Sequence, residues 1–159
     1  MQKVTVGKVL ALAGAAVLAV GVAGATQAAD MKVRGVTKSE IVIGSNTDLS
    51  GPAASFGVAV TNAIRLRFDE VNAAGGIHGR KIRLVVEDNQ YQVPKAVQAA
   101  NKLINRDDIF VMLAQLGTPM NNAILPDQLK AGVPNLFPVT SARSMYQPLD
   151  HMKFALRSE

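Results

Sequence analysis

Three short stretches gather hydroxyls and turn residues. Asp48 to Phe56 carries Ser50, Ser55 and Phe56, and Gln115 to Pro119 carries Gly117 and Thr118. Pro138 to Arg143 carries Thr140 and Ser141, with Ser144 just beyond. The first two run directly into helical patterns. Uncharged hydroxyls beside the free amides of a helix start suit a small anionic group such as a carboxylate, because those N–H groups have no partner inside the helix and sit at its positive end. Taken singly, Thr118 and Ser55 read more readily as helix caps, and Phe56 as a hydrophobic staple or a core residue. What favours a ligand is the meeting of all three stretches at one end of a sheet.

Residue types that would carry catalysis do not fall into working patterns. Gly44 and Gly51 lie too far apart for a G-x-G-x-x-G turn, and no Gly-Lys-Ser/Thr follows a strand. The two histidines, His78 and His151, share no metal-ligand spacing, and His78 reads as a solvated turn residue. Gly-x-Ser-x-Gly is absent, so no nucleophile elbow is present. The acidic pairs Asp69-Glu70, Glu87-Asp88 and Asp107-Asp108 are accounted for by ion pairs such as Arg65 with Asp69, four apart on a helix. The sequence thus offers no support for an enzyme, and it implies no cofactor and no metal.

The elements that position these stretches alternate regularly. Glu40 to Ser45 is a β-branched run and reads as a buried strand. From Gly57 to Ala74, the spacing of Val60, Ile64, Phe68 and Val71 predicts an amphipathic helix that Gly75-Gly76 ends. Arg80 to Asp88 alternates as a second strand. A helix follows from Pro94 to Asn105, with Val97, Ala100 and Ile104 as its apolar stripe. Ile109 to Ala114 is a third strand. Thr118-Pro119 then opens a helix, Thr118 as its cap, that Pro126 should kink or divide. Pro134 to Phe137 and Lys153 to Leu156 complete the strands. Strand and helix in strict alternation predict an α/β fold, a parallel sheet with helices on both faces of the Rossmann-like, flavodoxin-like kind. Such sheets bind ligands at the carboxyl ends of their strands, where strand order reverses.

Residues 1–29 stand apart from this pattern. Lys3 and Lys8 precede an apolar run from Val9 to Val22, and small residues follow through Ala29. That is the layout of a cleaved secretory signal peptide, with a cut after Ala28 or Ala29 fitting best. Setting these residues aside leaves 30–159 as the mature part and lowers the net charge from +5 to +3. The remaining basic residues are scattered, with no run interleaved with aromatics, which argues against nucleic acid as a partner. With no cysteine there is neither a disulfide framework nor a lipid-anchored start, so stability rests on the apolar core.

Four segments at these loops carry a resemblance. They are Asp48-Leu49-Ser50-Gly51-Pro52-Ala53-Ala54-Ser55-Phe56-Gly57, Asn72-Ala73-Ala74-Gly75-Gly76-Ile77-His78-Gly79-Arg80-Lys81-Ile82, Leu116-Gly117-Thr118-Pro119, and Gly132-Val133-Pro134-Asn135-Leu136-Phe137-Pro138. In order and spacing the chain resembles the substrate-binding proteins of branched-chain amino acid ABC transporters, of the type I periplasmic-binding fold, over roughly residues 36 to 158. The resemblance implies two lobes that close on a ligand, a membrane permease as partner, and a periplasmic location. It places Thr118 where a hydroxyl meets the ligand's α-carboxylate, and Val139 and Ser141 where the carboxylate and ammonium are held. Phe56 falls where a ring covers the ligand side chain, with Ser50 beside it. This sequence departs from leucine-type members in having Phe56 for a tyrosine and Gly117-Thr118-Pro119 for a run of serines, which leaves the identity of the carboxylate open. It also stops at Glu159, so 30–159 reads as an incomplete N-terminal lobe. The alternatives are a ligand-sensing receptor domain of the same fold and a truncated fragment without function.

Overall fold

The computed structural model describes residues 32–148 and 150–154; the expected leader lies outside them. Five strands form one sheet in the order β2-β1-β3-β4-β5, all parallel. They are β1 (Glu40–Thr47), β2 (Lys81–Asp88), β3 (Val111–Leu113), β4 (Asn135–Leu136) and β5 (Lys153–Phe154). Between them run α1 (Ala54–Ala73), α2 (Val93–Asn105) and α3 (Thr118–Lys130). The order reverses at β1, whose neighbours are β2 on one side and β3 on the other. The parallel α/β sheet expected from the alternating pattern is therefore present, with its switch point between β1 and β3.

Right-handed crossovers put α1 on one face and α2 and α3 on the other. The core lies on the two-helix side. There Val42 and Met112 from the sheet pack with Ala96, Ala100, Leu103, Ile104, Met120 and Ile124 from the helices, joined by Ile109 and Val133. Leu103, Ile109, Met112, Met120 and Val133 are wholly enclosed. Burying each of the larger side chains contributes about 1.5–3 kcal/mol. Arg34 ties the segment before β1 to this body, through the Ile104 carbonyl at 2.8 Å and Asp108 at 3.2 Å.

Two local expectations are corrected, while the helix expected from the stripe Val60, Ile64, Phe68 and Val71 forms as α1, with these four half-buried and Gly57 and Thr61 enclosed. Among the described residues α1 is alone on its face, which leaves Leu66 65% exposed. Pro126 does not divide α3, which runs unbroken from Thr118 to Lys130. Finally, α1 is paired internally by Arg67 with Glu70 at 2.9 Å rather than by Arg65 with Asp69. The remaining acids do serve structure: Lys102 bridges Glu87 and Asp107 at 2.7 and 2.9 Å.

Candidate functional site

The loop between β1 and α1 is wound around one carboxylate. Asp48 is fully enclosed, and its oxygens accept the N–H groups of Ser50 at 3.2 Å, Gly51 at 2.5 Å and Ala53 at 2.7 Å. This bends the chain straight into α1, so closely that a Cβ at Gly57 would lie 1.9 Å from the Asp48 carbonyl oxygen. Only glycine fits there. The outcome is Phe56 on the first turn of α1, 54% exposed and facing the carboxyl end of the sheet.

A second carboxylate fixes the neighbouring loop. Asp88, at the end of β2, accepts from the Leu49 and Gln90 amides, each at 2.9 Å, and from Ser50 Oγ at 2.5 Å. Burial raises its pKa, but the Ser50 hydroxyl and these amides outweigh that and hold the carboxyl below its ordinary value. After it, Gln90 and Tyr91 both take left-handed backbone, with φ of 51° and 56°. That conformation costs residues with a Cβ about 1–2 kcal/mol each. It is held by Asn89, which is fully enclosed. Its Oδ1 accepts the Tyr91 N–H at 2.8 Å and its Nδ2 donates to Asn46 Oδ1 at 3.1 Å. Asn46 in turn donates to the Ala96 carbonyl at 2.7 Å.

The third wall joins two loops. Gly117 N donates to the Val139 carbonyl at 3.1 Å, and Val139 N donates to the Gln115 carbonyl at 2.8 Å, so a Leu116–Val139 bridge carries the sheet's ladder past the ends of β3 and β4. Thr118 was expected to cap α3. The cap position belongs instead to Gly117, which has no side chain to offer, and the Thr118 hydroxyl turns across to Thr140 with the two oxygens 2.6 Å apart. Thr140 Oγ1 also accepts the Ala142 N–H at 3.0 Å. Two hydroxyls in one mutual bond use one hydrogen between them. Whichever is the donor, one hydrogen is left to give to a ligand oxygen. The Thr118 N–H, at the first helical position, has no intrahelical acceptor either.

These three walls enclose a cleft of about 330 Å³ lined by Ala53, Phe56, Tyr91, Leu116, Gly117, Thr118, Val139, Thr140 and Ser141. Of the five residues singled out in the sequence, Phe56, Thr118, Val139 and Ser141 meet here. Ser50 does not line the cleft, and its hydroxyl is committed to Asp88. Both hydrogen-bonding groups of Val139 are already engaged by the opposite loop, so its N–H is not free. Tyr91 was missed. Its only signal is its place just past the carboxyl end of a strand, in a loop without the hydroxyl pattern that marked the others. No charged side chain lines the cleft, and the lining offers two rings, three aliphatic side chains and three hydroxyls apart from Tyr91's own. The end of the α3 dipole is the positive element present. Such a surface can bind and orient a small organic anion; it holds no acid–base pair for chemistry. Among the described residues no cluster of side chains could hold a metal ion.

Comparison with known proteins agrees with this geometry. The family model described as periplasmic binding protein matches residues 40–149. A Leu/Ile/Val-binding protein of Rhizobium johnstonii is 31% identical over 128 residues, covering 70% of this chain and 35% of that protein. The chain therefore spans about a third of that relative's length, and 18% and 20% of two further curated relatives. Among solved structures, the branched-chain amino acid transporter substrate binding protein of Streptococcus pneumoniae, in complex with isoleucine, superposes with a TM-score of 0.63 at 30% identity, covering 67% of this chain and 31% of that one. A fatty acid ABC transporter substrate-binding protein from Thermomonospora curvata gives 0.61 at 35% identity, covering 64% and 26%. These relatives are binding proteins and not enzymes. The switch-point cleft, the loop segments and the family match lead to one conclusion: the chain belongs to the periplasmic binding protein family.

Proposed function

We propose that this chain provides one wall of the ligand site of an extracytoplasmic solute-binding protein, which takes up an amino acid or related small carboxylate and delivers it to an ABC transporter permease. Phe56, Thr118, Val139 and Ser141 are the contacts we assign to the ligand, with Thr140 as the partner of Thr118. The observation that carries the reading is the Thr118–Thr140 pair, which keeps one hydroxyl hydrogen free beside an uncapped helix start. A carboxylate there receives a hydroxyl and an amide hydrogen bond at the positive end of α3. The names of the relatives support the class, one reading Leu/Ile/Val-binding and another fatty acid. Residues 1–29 are read as the leader that exports the chain to the periplasm; the mass of the exported product, cut after Ala28 or Ala29, tests this.

The test of binding is a thermal melt of the chain with a panel of amino acids and small carboxylates. A ligand at 100 times its Kd adds about 2.7 kcal/mol to stability, a shift that a cooperative melt resolves. The expected result is a shift with at least one carboxylate that disappears in Thr118→Ala. A cooperative melt that no carboxylate moves would overturn the reading.

A further inference from the structure

The loop after β2 contains a second aromatic group that the family resemblance did not point to, and its construction is unusual for a loop. Tyr91 is a bulky residue in left-handed backbone, next to a second residue in the same conformation. The arrangement is held by the enclosed Asn46–Asn89 pair, which reaches across β1 and β2 to the start of α2. Strain sustained by buried polar groups points to a side chain that must stand in one place. That place is the cleft. The Tyr91 Cε2 atom lies 3.2 Å from where a Cβ on Gly117 would be, so the ring rests on bare backbone beside Thr118. Tyr91 stays 39% exposed and is not drawn into the core.

Phe56 enters the same cleft from α1, on the other face of the sheet. Resting on the small-carboxylate reading above, we infer that Tyr91 and Phe56 together set the ligand class, favouring an acid with a flat, unsaturated ring over one with a branched aliphatic side chain. A branched or puckered body meets these rings through ordinary packing alone. A flat ring also gains the offset or edge-to-face geometry that aromatic pairs prefer. The carboxylate end goes to Thr118 and Thr140, and the ring lies between Phe56 and Tyr91. Gly117 has a specific part in this, since a Cβ there would press on the Tyr91 ring at 3.2 Å and make it give way by a few tenths of an ångström.

The experiment compares two probes of equal size and charge, benzoate and its saturated counterpart cyclohexanecarboxylate, titrated calorimetrically against the full chain. The sequence has two tyrosines and no tryptophan. In a Tyr146→Phe variant the tyrosine emission therefore reports Tyr91 alone. Benzoate is expected to bind about tenfold more tightly than cyclohexanecarboxylate, the difference that two ring contacts supply. It is also expected to change the Tyr91 emission. Tyr91→Ala should cut the preference to about threefold, the part that Phe56 alone supplies, while Tyr91→Phe keeps it, and Thr118→Ala should weaken both probes alike. Equal affinities, or a full tenfold preference that survives Tyr91→Ala, would overturn this inference and leave the carboxylate reading standing. Failure of both probes and of every carboxylate in the thermal panel would overturn the two together.

Discussion

Replacing Gly117 with alanine tests the geometry on which the cleft depends. Two separate costs are expected. Gly117 sits at φ 102°, a region that residues with a Cβ avoid, and this alone costs about 1–3 kcal/mol. The new Cβ would also lie 2.0 Å from the Met120 Cε. Met120 is fully enclosed, so its methyl group must move within a packed core, at about a further 1–3 kcal/mol. Gly75 serves as the internal control. Its φ is 107°, but nothing lies within 4 Å of its Cβ position, so Gly75→Ala carries the backbone cost alone. Gly117→Ala should therefore exceed Gly75→Ala by at least about 1 kcal/mol. In a Met120→Ala background the gap should narrow, because the Met120 clash is gone while the backbone cost and the lighter contact with Tyr91 at 3.2 Å remain. Urea unfolding followed by circular dichroism is the assay. With a slope of about 1–3 kcal/mol per molar, each kcal/mol moves the midpoint by about 0.3–1 M. Equal costs for the two substitutions in the unaltered background would refute the packing of Met120 under this loop, and with it the place assigned to Tyr91.

Two further outcomes follow from the carboxylates that wind the loops. Asp48→Ala strands three amide donors beneath α1 and should destabilise the chain by about 3 kcal/mol in the same urea assay, since bonds to a charged acceptor contribute about 1.5–3 kcal/mol each and do not add fully. Asp88, whose pKa is depressed in the folded state, contributes stability that is present above its unfolded value near 3.8 and lost as pH falls through the lower folded value. Urea midpoints of the unaltered chain and Asp88→Asn, compared from neutral pH down to acid, should therefore converge as the pH drops below that window. A gap that stays constant throughout would show that Asp88 acts by shape and not by charge.

The layers of this fold were legible because periodicity records burial. Of the stripe read for α2, Ala100 and Ile104 are enclosed and Val97 packs against them half-buried, and Val42 and Met112 fall in the runs that become β1 and β3. The hydroxyl loops were legible as well, because Ser, Thr and Gly at strand ends mark helix starts. Three features were not. Thr118 was taken for a cap, since a Thr-Pro dipeptide carries the same local signature whether the hydroxyl turns back to the helix or across to Thr140. The continuity of α3 through Pro126 was another, with Leu125 and Gln128 on either side both enclosed. Tyr91 was invisible because its position comes from Asn46 and Asn89, 43 residues apart. Buried amide pairs have no period, so only folded coordinates reveal which asparagines meet.

The bridge between Leu116 and Val139 has one further consequence. Because Gln115, Gly117 and Val139 satisfy one another across the two loops, this wall exists before any occupant arrives. Ordering a loose side chain at a binding surface costs about 0.5–1.5 kcal/mol, and little of that is owed here. Arrival should then need no rearrangement on this side, and differences among ligands should show up as how long each one stays. The same bonds should make the Gly117 and Val139 amides among the slowest of any loop amides to exchange with deuterium, at a rate that an added ligand barely changes.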